Sequence, residues 1–157
     1  MGKIDSTRFG EIEYDDDKVI SMPQGIIGFT DMKRYILVQP DEDAVFFWLH
    51  SADDPSLAFV VTDPRHFIPD YRVELNEDER EFLGLRSEEE LGLMVIVTVP
   101  EADPLGITAN MLAPLILHFP TSRAWQVVQE NVDYEIHHPL VKANSDRGGM
   151  ADADTLP

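Results

Sequence analysis

Three aspartates stand at the ends of two apolar runs in residues 46–64, FFWLHSADDPSLAFVVTDP. Carboxylates that converge in a cleft can act as general acid and general base, so Asp53, Asp54 and Asp63, with Asp70 farther on, could serve a small hydrolase at a barrel mouth. However, Asp54 and Asp63 each precede a proline, where the backbone favours extended or turn geometry and an aspartate accepts local N–H bonds. We therefore predict that these aspartates end strands beside a binding surface, with the hydrolase as the alternative.

Other patterns that carry chemistry are missing from the sequence. There is no cysteine and no G-x-S-x-G nucleophile motif, and the glycines of QGIIGF (24–29) have no lysine or helix signal after them. The five histidines lack the spacing of a metal site. DDDK (15–18) lacks the glycine and glutamate of a calcium loop, so a solvated hairpin turn is predicted there. We predict no catalytic residue, no metal and no cofactor.

Thirty acidic residues against twelve basic ones give the chain a formal charge of −18 and a pI near 4.3. This charge would repel a phosphate backbone, so we expect no direct contact with nucleic acid. The same charge would speed the encounter with a basic partner protein. No stretch approaches the roughly 20 apolar residues of a membrane span, and no signal-peptide pattern is present, so we expect a cytoplasmic protein without membrane contact.

Short runs with alternating, β-branched or aromatic residues recur along the chain between turns rich in proline, glycine and aspartate. The pattern predicts an all-β fold, a small closed or pseudo-barrel of short, mostly antiparallel strands with one or two short helices. Asn76 with Glu79 and Ser87 with Glu90 have N-cap spacing, so helices are expected at about 78–83 and 88–91. The predicted strands are EIEY (11–14), KVISM (18–22), RYILVQ (34–39), VFFWLH (45–50), LAFVVT (57–62), YRVEL (71–75), LMVIVTV (93–99), APLILHF (113–119) and AWQVVQE (124–130).

The length of 157 residues fits a single domain. We assign this domain to residues 1–141. Residues 142–157, KANSDRGGMADADTLP, have neither periodicity nor apolar mass, so a disordered C-terminal tail is expected there.

Two connections are more apolar than loops usually are. QGIIGF contains Ile26, Ile27 and Phe29, and DPRHFIPDYRVEL contains Phe67 and Tyr71. Packing into the core is the usual fate of such residues. Any that stay outside would form an apolar patch rimmed by acids, a common feature of protein-binding surfaces.

Five blocks of the sequence, in order and with characteristic spacing, resemble the bacterial flagellar assembly factor FliW family over about residues 8–140. The combination of LAFVVTDP, PDY and TANMLAP in one small acidic chain makes the resemblance specific. It implies a small β-barrel-like domain, in agreement with the strand pattern. The blocks are MPQGIIGFTDMKRYILV (22–38), FFWLHSADDPSLAFVVTDPRHFIPDY (46–71), VIVTVP (95–100), ITANMLAPLILH (107–118) and QVVQENVDYEIHHPL (126–140).

The resemblance implies a function without catalysis. Proteins of this family bind CsrA, a small dimeric RNA-binding regulator, and prevent it from repressing flagellin synthesis. They also bind flagellin, as a chaperone does, so flagellin that accumulates in the cytoplasm withdraws the factor and frees CsrA to stop flagellin translation. The partners expected for this chain are therefore a CsrA-type regulator and flagellin. A strongly anionic protein would also disfavour phosphate near the bound regulator.

The protein-binding site is predicted within the family-like blocks, where aromatic residues could anchor an interface. The chain departs from the family pattern at His118, where asparagine is common, and at Trp125, where a small or basic residue is common. Contacts of the turn between them are therefore not carried over. The predicted site residues are Ile26, Phe29, Asp63, Phe67, Asp70, Tyr71 and Asn110.

Overall fold

The structure is a computed structural model that describes residues 2–83, 91–100, 102–130 and 133–141. None of the described helices is long and apolar enough to cross a membrane. Short 3-10 turns occupy Asp16–Lys18, Pro64–His66 and Pro104–Gly106. The other elements are β1 (Gly2–Ser6), β2 (Gly10–Tyr14), β3 (Ile20–Ser21), β4 (Arg34–Val38), β5 (Phe46–Ser51), β6 (Ala58–Thr62), α1 (Glu77–Leu83), β7 (Leu91–Thr98), β8 (Thr108–Ala109), β9 (Leu115–His118), β10 (Arg123–Gln126) and β11 (His138–Pro139).

The strands close into a barrel in the order β7, β6, β5, β4, β3, β10 and β9, and β9 pairs back onto β7. Within this barrel β3 and β10 are parallel, and the other neighbouring pairs are antiparallel. Strands β8 and β11 extend the sheet beside β7. The prediction of an all-β, mostly antiparallel closed barrel is confirmed.

Alternation along the strands sorts side chains between two cores. In β5, Phe47 and Leu49 belong to the interior core, whereas Phe46 packs with residues of a second core on the outer face of the barrel. Val95 and Val97 of β7 also belong to the outer core. This two-residue period is the reason that short runs such as VFFWLH identified strands. The buried members of the interior core are Ile20, Met22, Ile26, Tyr35, Leu49, Val61, Leu115, Leu117 and Ala124.

The β1–β2 hairpin lies against the outer face of β5. Ser6 Oγ accepts the backbone N–H groups of Arg8 and Phe9, which leaves its own hydrogen to donate to His50 Nε2 at 2.8 Å. His50 Nδ1–H then donates to the carbonyl of Ser51 at 2.7 Å. The ring of Phe9 meets Trp48 edge-on, with centroids 5.3 Å apart. No strand was predicted before residue 11, so the sequence pattern missed β1.

Two sequence predictions outside the barrel have opposite outcomes. The helix at about 78–83 is confirmed as α1, with the reciprocal cap of Asn76 and Glu79: each backbone N–H donates to the other side chain at 2.8 Å. The prediction of a hairpin turn at residues 15–18 is wrong. These residues contain a 3-10 turn that leads from β2 to β3, and β3 pairs with β4 and β10, not with β2.

Three further predictions concern the second half of the chain. Residues 71–75 were predicted as a strand, but they pair with no strand in the described part of the chain. Most of the helix expected at 88–91 lies outside the described residues, and β7 already begins at Leu91. The predicted tail, residues 142–157, also lies outside them, so the domain boundary at 141 stays a prediction.

Candidate functional site

In the described part of the chain, one end of the barrel is open and lined mainly by apolar side chains. At this end β4 finishes, β5 starts, β6 finishes at Thr62, β7 starts at Leu91, and β9 runs into Phe119. A groove of about 230 Å³ lies there. We call this opening the mouth and define it by five of the residues that line the groove: Leu37, Phe47, Met94, Leu117 and Phe119.

Phe119 is the most exposed aromatic side chain of the mouth. Its ring lies directly over Gly92, because a Cβ atom added to that glycine would stand 2.7 Å from Phe119 Cζ. Phe119 is 60% exposed and Leu37 is 40% exposed. Together they form an apolar surface at the barrel end, and contiguous apolar surface of this kind marks interaction sites more often than scattered single residues do.

A second groove, of about 700 Å³, adjoins the mouth and shares Leu37, Leu117 and Phe119 with it. Its far wall contains the carboxylates of Glu13, Asp15 and Asp17, together with the ammonium group of Lys18. Three carboxylates against one ammonium leave this wall negative. The mouth therefore combines apolar walls with an acidic border on the side of β2.

Asp63 lies at the mouth on the side of β6. Its Oδ1 accepts the backbone N–H of Arg65 at 2.9 Å and Nε–H at 3.1 Å, and its Oδ2 accepts from Nη2 at 3.1 Å. Partial burial acts to raise the pKa of Asp63, but these hydrogen bonds and the charge of Arg65 outweigh it and lower the pKa overall. The carboxylate is therefore ionised at neutral pH and held against its own arginine.

The opposite end of the barrel is closed by the loop between β3 and β4. Ile26 fills the interior core, and its carbonyl accepts the N–H of Phe29 at 2.6 Å in a turn whose Gly28 has φ +91°, a left-handed conformation that favours glycine. Phe29 meets Phe59, near the start of β6, with ring centroids 5.2 Å apart. Phe29 stays 42% exposed and Ile27 is 63% exposed. The assignment of Ile26 to a binding surface is therefore corrected to core, and Phe29 lies at the end away from the mouth.

Tyr71 also belongs to the core. Its hydroxyl donates to the carbonyl of Met111 at 2.6 Å, and its ring stacks on Tyr134 with centroids 4.5 Å apart. Burial, and secondarily the neighbouring Tyr134, raise the pKa of Tyr71. The prediction that Tyr71 contributes a side chain to the partner surface is corrected, because this side chain is buried and its polar atom is satisfied within the fold.

The remaining predicted site residues surround this part of the outer core. Phe67 packs half-buried against Phe46, with ring centroids 6.1 Å apart. Asp70 is exposed. Asn110 has a local structural role, because its Oδ1 accepts the backbone N–H groups of Leu112 and Ala113. The structure therefore separates the predicted residues: Ile26 and Phe29 lie at the closed end, Asp63 lies at the mouth, and Phe67 and Tyr71 lie at the outer core.

The aspartates at the strand ends do not converge. Asp54 Oδ1 accepts the N–H and O–H groups of Ser56 in the turn before β6, and Asp53 pairs with Arg34 at 3.4 Å. Asp63 follows β6, and a strand of this length separates the two ends by about 16 Å. Asp53 and Asp54 follow β5 and Asp63 follows β6, as predicted, and the separation of the first two from Asp63 gives no support to the hydrolase alternative. In the described ranges, no group of three or more histidine, aspartate or glutamate side chains could hold a metal ion.

The residues of the mouth were not among the predicted site residues. Leu37, Phe47 and Phe119 fall in or just after strand patterns, where an apolar residue is expected to be core. The one sequence signal was Phe119, an aromatic residue that follows a buried strand and directly precedes the turn residues PTS. Only the closure of the barrel shows which end of the interior the described residues leave uncovered.

The two departures from the family pattern have structural roles. His118 is buried, and its Nδ1 lies 2.7 Å from the hydroxyl oxygen of Thr121. Trp125 pairs with Ile116 across β10 and β9 and packs on a small outer cluster with Val127. His118 thus supports the turn that follows Phe119, whereas Trp125 supports the β9–β10 pair.

Comparisons with known proteins agree on one family. The family model described as FliW protein matches residues 3–140. The flagellar assembly factor FliW of Natranaerobius thermophilus is 38% identical over 138 residues, covering 88% of this chain and 91% of that protein. The corresponding protein of Syntrophus aciditrophicus is 40% identical over 140 residues, covering 89% and 88% of the two chains. A crystal structure of the flagellar assembly factor FliW superposes with a TM-score of 0.81 at 33% identity, covering 90% of this chain and 98% of that one. Because sequence and fold agree over nearly the whole length, the chain belongs to the FliW family of flagellar assembly factors.

Proposed function

We propose that this chain is a protein-binding regulator that sequesters a CsrA-type translational repressor and is itself titrated by cytoplasmic flagellin. The observation that carries the proposal is the mouth, an exposed apolar opening with an acidic border, in a member of the FliW family. We assign the repressor to this mouth. The chain acts there by binding, without catalysis.

The shape and chemistry of the mouth suit an interface centre. Interfaces commonly have an apolar, often aromatic, centre that is desolvated on binding and a polar rim around it. Phe119 and Leu37 would supply the centre, and Glu13, Asp15 and Asp17 the rim. Because Phe119 rests on Gly92, its ring is held in place before the partner arrives, and this lowers the ordering cost of binding.

The charge of the chain suits a basic, RNA-binding partner. At −18, the protein attracts a basic surface over a distance of about 8–10 Å at physiological salt, the Debye length. Once bound, the same charge disfavours a phosphate backbone near the repressor. Both effects act in the cytoplasm, where the repressor and newly made flagellin meet.

Flagellin would act as the titrating partner. When export slows, flagellin accumulates, occupies the factor and releases the repressor, which then stops further flagellin translation. This scheme requires only that flagellin binding and repressor binding oppose each other. It couples the supply of flagellin to the assembly of the flagellum.

Co-purification from the native organism tests this function. The tagged wild-type chain and a Phe119→Asp variant are captured in parallel, and the proteins that accompany them are identified by mass spectrometry. We expect a CsrA-type regulator and flagellin with the wild type, and loss of the regulator with the variant. Recovery of neither partner with the wild type would contradict the proposed function, whereas undiminished regulator with the variant would contradict only its assignment to the mouth.

A further inference from the structure

Residues 71–75 have the side-chain pattern of a strand but no strand beside them. Burial alternates along YRVEL: Tyr71 is buried and Val73 and Leu75 are half-buried, whereas Arg72 and Glu74 are exposed. Val73 and Leu75 pack on the outer cluster that also contains residues of β7. The segment therefore packs on the barrel through the side chains of Tyr71, Val73 and Leu75, as one face of an edge strand does.

The two edges of this segment differ in their hydrogen bonds. On one edge Arg72 N–H donates to Tyr134 Oη at 2.9 Å, and Glu74 N–H donates to Gln129 Oε1 at 2.7 Å. Gln129 Nε2 returns a hydrogen bond to the Glu74 carbonyl at 3.3 Å. In an extended chain the backbone groups of alternate residues point to opposite edges.

The backbone groups of Val73 and Leu75 therefore point to the second edge. Within residues 2–83, 91–100, 102–130 and 133–141, neither residue has a hydrogen-bond partner for its N–H or carbonyl group. We call this edge, at residues 73–75, the open edge. An unpaired strand edge is a template onto which an extended segment of another chain can add.

The groove beside the open edge is rich in arginine. It has a volume of about 450 Å³, and Arg65, Arg72 and Arg80 line it. Glu74 is the one acidic residue among the described residues that line it, so three arginines against one carboxylate give the groove a local charge opposite to the −18 of the chain. Arg65 is paired with Asp63, but Arg72 and Arg80 have no carboxylate within ion-pairing distance in the described part of the chain. The groove floor is apolar, with Leu91 and Leu93 beside the open edge.

We propose that this groove binds an extended segment of a partner protein in which acidic and apolar residues alternate, and that the segment adds as a strand along the open edge. Its backbone pairs with Val73 and Leu75, its carboxylates meet Arg72 and Arg80, and its apolar side chains rest on Leu91. The overall charge of the chain slows the approach of an acidic segment, but the hydrogen-bonded arginine contacts act at short range. A nucleic acid would face the same repulsion at every phosphate, so a protein segment is favoured.

This site is distinct from the proposed function at the mouth, although Arg65, Leu91 and Leu93 line both grooves. It can be tested without the repressor or flagellin. The probe is a short fluorescent peptide that alternates glutamate and leucine, added to the full chain and followed by fluorescence anisotropy. Two control peptides replace glutamate by lysine, or carry backbone N-methyl groups that prevent strand pairing.

We expect the glutamate peptide to bind and both control peptides to bind at least about tenfold more weakly, since each removes charge-assisted or backbone hydrogen bonds. Arg72→Glu and Arg80→Glu should each weaken binding at least about tenfold. Lys3→Glu makes the same charge change on the β1–β2 hairpin, where Lys3 pairs with exposed Glu11 at 3.6 Å, and should change affinity less than about twofold. Circular dichroism of each variant confirms that it is folded.

Amide hydrogen exchange of the wild type gives an independent readout. Exchange at Val73 and Leu75 should be fast in the free chain and slow in the presence of the glutamate peptide. Absence of binding, equal binding of the lysine or N-methylated peptide, or unchanged exchange at these two amides would overturn the proposal. So would a dimer of the free chain in which the two amides are already protected, because a second copy would then cover the open edge.

Discussion

Truncation of Phe119 to alanine should weaken repressor binding far more than it weakens the fold. The ring is 60% exposed, and a phenylalanine side chain offers about 200 Å² in all, so about 120 Å² is available to a partner. At ~25 cal/mol per Å², burial of this surface contributes about 3 kcal/mol to binding. Loss of this contribution corresponds to an affinity decrease of about 150-fold.

The cost to folding should be smaller, because only two-fifths of the ring is buried in the free protein. Full burial of a phenylalanine is worth about 3–5 kcal/mol, so the variant should lose about 1–2 kcal/mol of unfolding free energy. For a chain of 157 residues this corresponds to a fall in Tm of about 2–8 °C. Isothermal titration with purified repressor and thermal unfolding of the same samples measure both quantities.

Two further variants sharpen the comparison. Leu105→Ala removes a side chain that is 54% exposed but lies outside the mouth, so it should leave repressor affinity within about twofold of wild type. Gly92→Ala adds a Cβ only 2.7 Å from Phe119 Cζ, so it should displace the exposed ring with little loss of stability and still weaken binding. Normal affinity in both Phe119→Ala and Gly92→Ala, with folded proteins, would refute the assignment of the repressor to the mouth.

Three more predictions concern the charge, the core and the hairpin. Raising salt from low to physiological concentration should slow repressor association much more than it changes dissociation, and an association rate indifferent to salt would exclude electrostatic steering. The Tyr35 hydroxyl is buried without a partner in the described residues, and burial raises its pKa to about 12 from 10.0. Tyr35→Phe should therefore stabilise the fold by about 1 kcal/mol at neutral pH, where urea unfolding measures it. The contribution of Tyr35 to stability is retained below pH 10 and should be lost by about 1.4 kcal/mol per pH unit as pH rises towards 12, because the unfolded tyrosine ionises first. The pKa of Tyr71 is raised as well, so Tyr35→Phe should still lose stability over this range but less steeply than the wild type; an equal decline in both proteins would contradict the assignment to Tyr35. Ser6→Ala should cost about 1–3 kcal/mol and speed amide exchange in β1, whereas unchanged exchange would show that the bond to His50 does not hold the hairpin.

Much of the fold could be predicted because each barrel strand has one face buried on the inside. That condition imposes the two-residue period seen in β4, β5 and β6, and it is local enough to read from sequence. Strand β1 was not predicted because Ile4 is the one large apolar residue in its five positions. Strands β8 and β11 have two residues each and are too short to show a two-residue period. The pairing of β9 with β7 joins distant segments, which no local pattern specifies.

The site was harder to predict because exposure depends on closure of the barrel. Ile26 and Phe29 share one apolar loop, yet the turn at Gly28 directs Ile26 into the core and leaves Phe29 partly outside. The alternating pattern of residues 71–75 correctly predicted which side chains are buried, but the predicted pairing with a neighbouring strand is not found in the described residues. Alternation reports which side chains are buried, whereas pairing depends on what lies beside the segment. Similarly, Phe119 ends a run of core-like apolar residues, yet it is 60% exposed because no loop in the described part of the chain covers that end of the barrel.

The most direct test of the proposed regulator function is a competition measurement with three purified proteins. The fluorescently labelled CsrA-type repressor of the same organism is bound to the chain, and unlabelled flagellin is added in steps while anisotropy reports the complex. We predict a stable complex that flagellin dissociates in proportion to the amount added, with the released repressor regaining its ability to bind flagellin mRNA. Failure of the repressor to bind the chain, or a complex that excess flagellin leaves intact, would contradict the account.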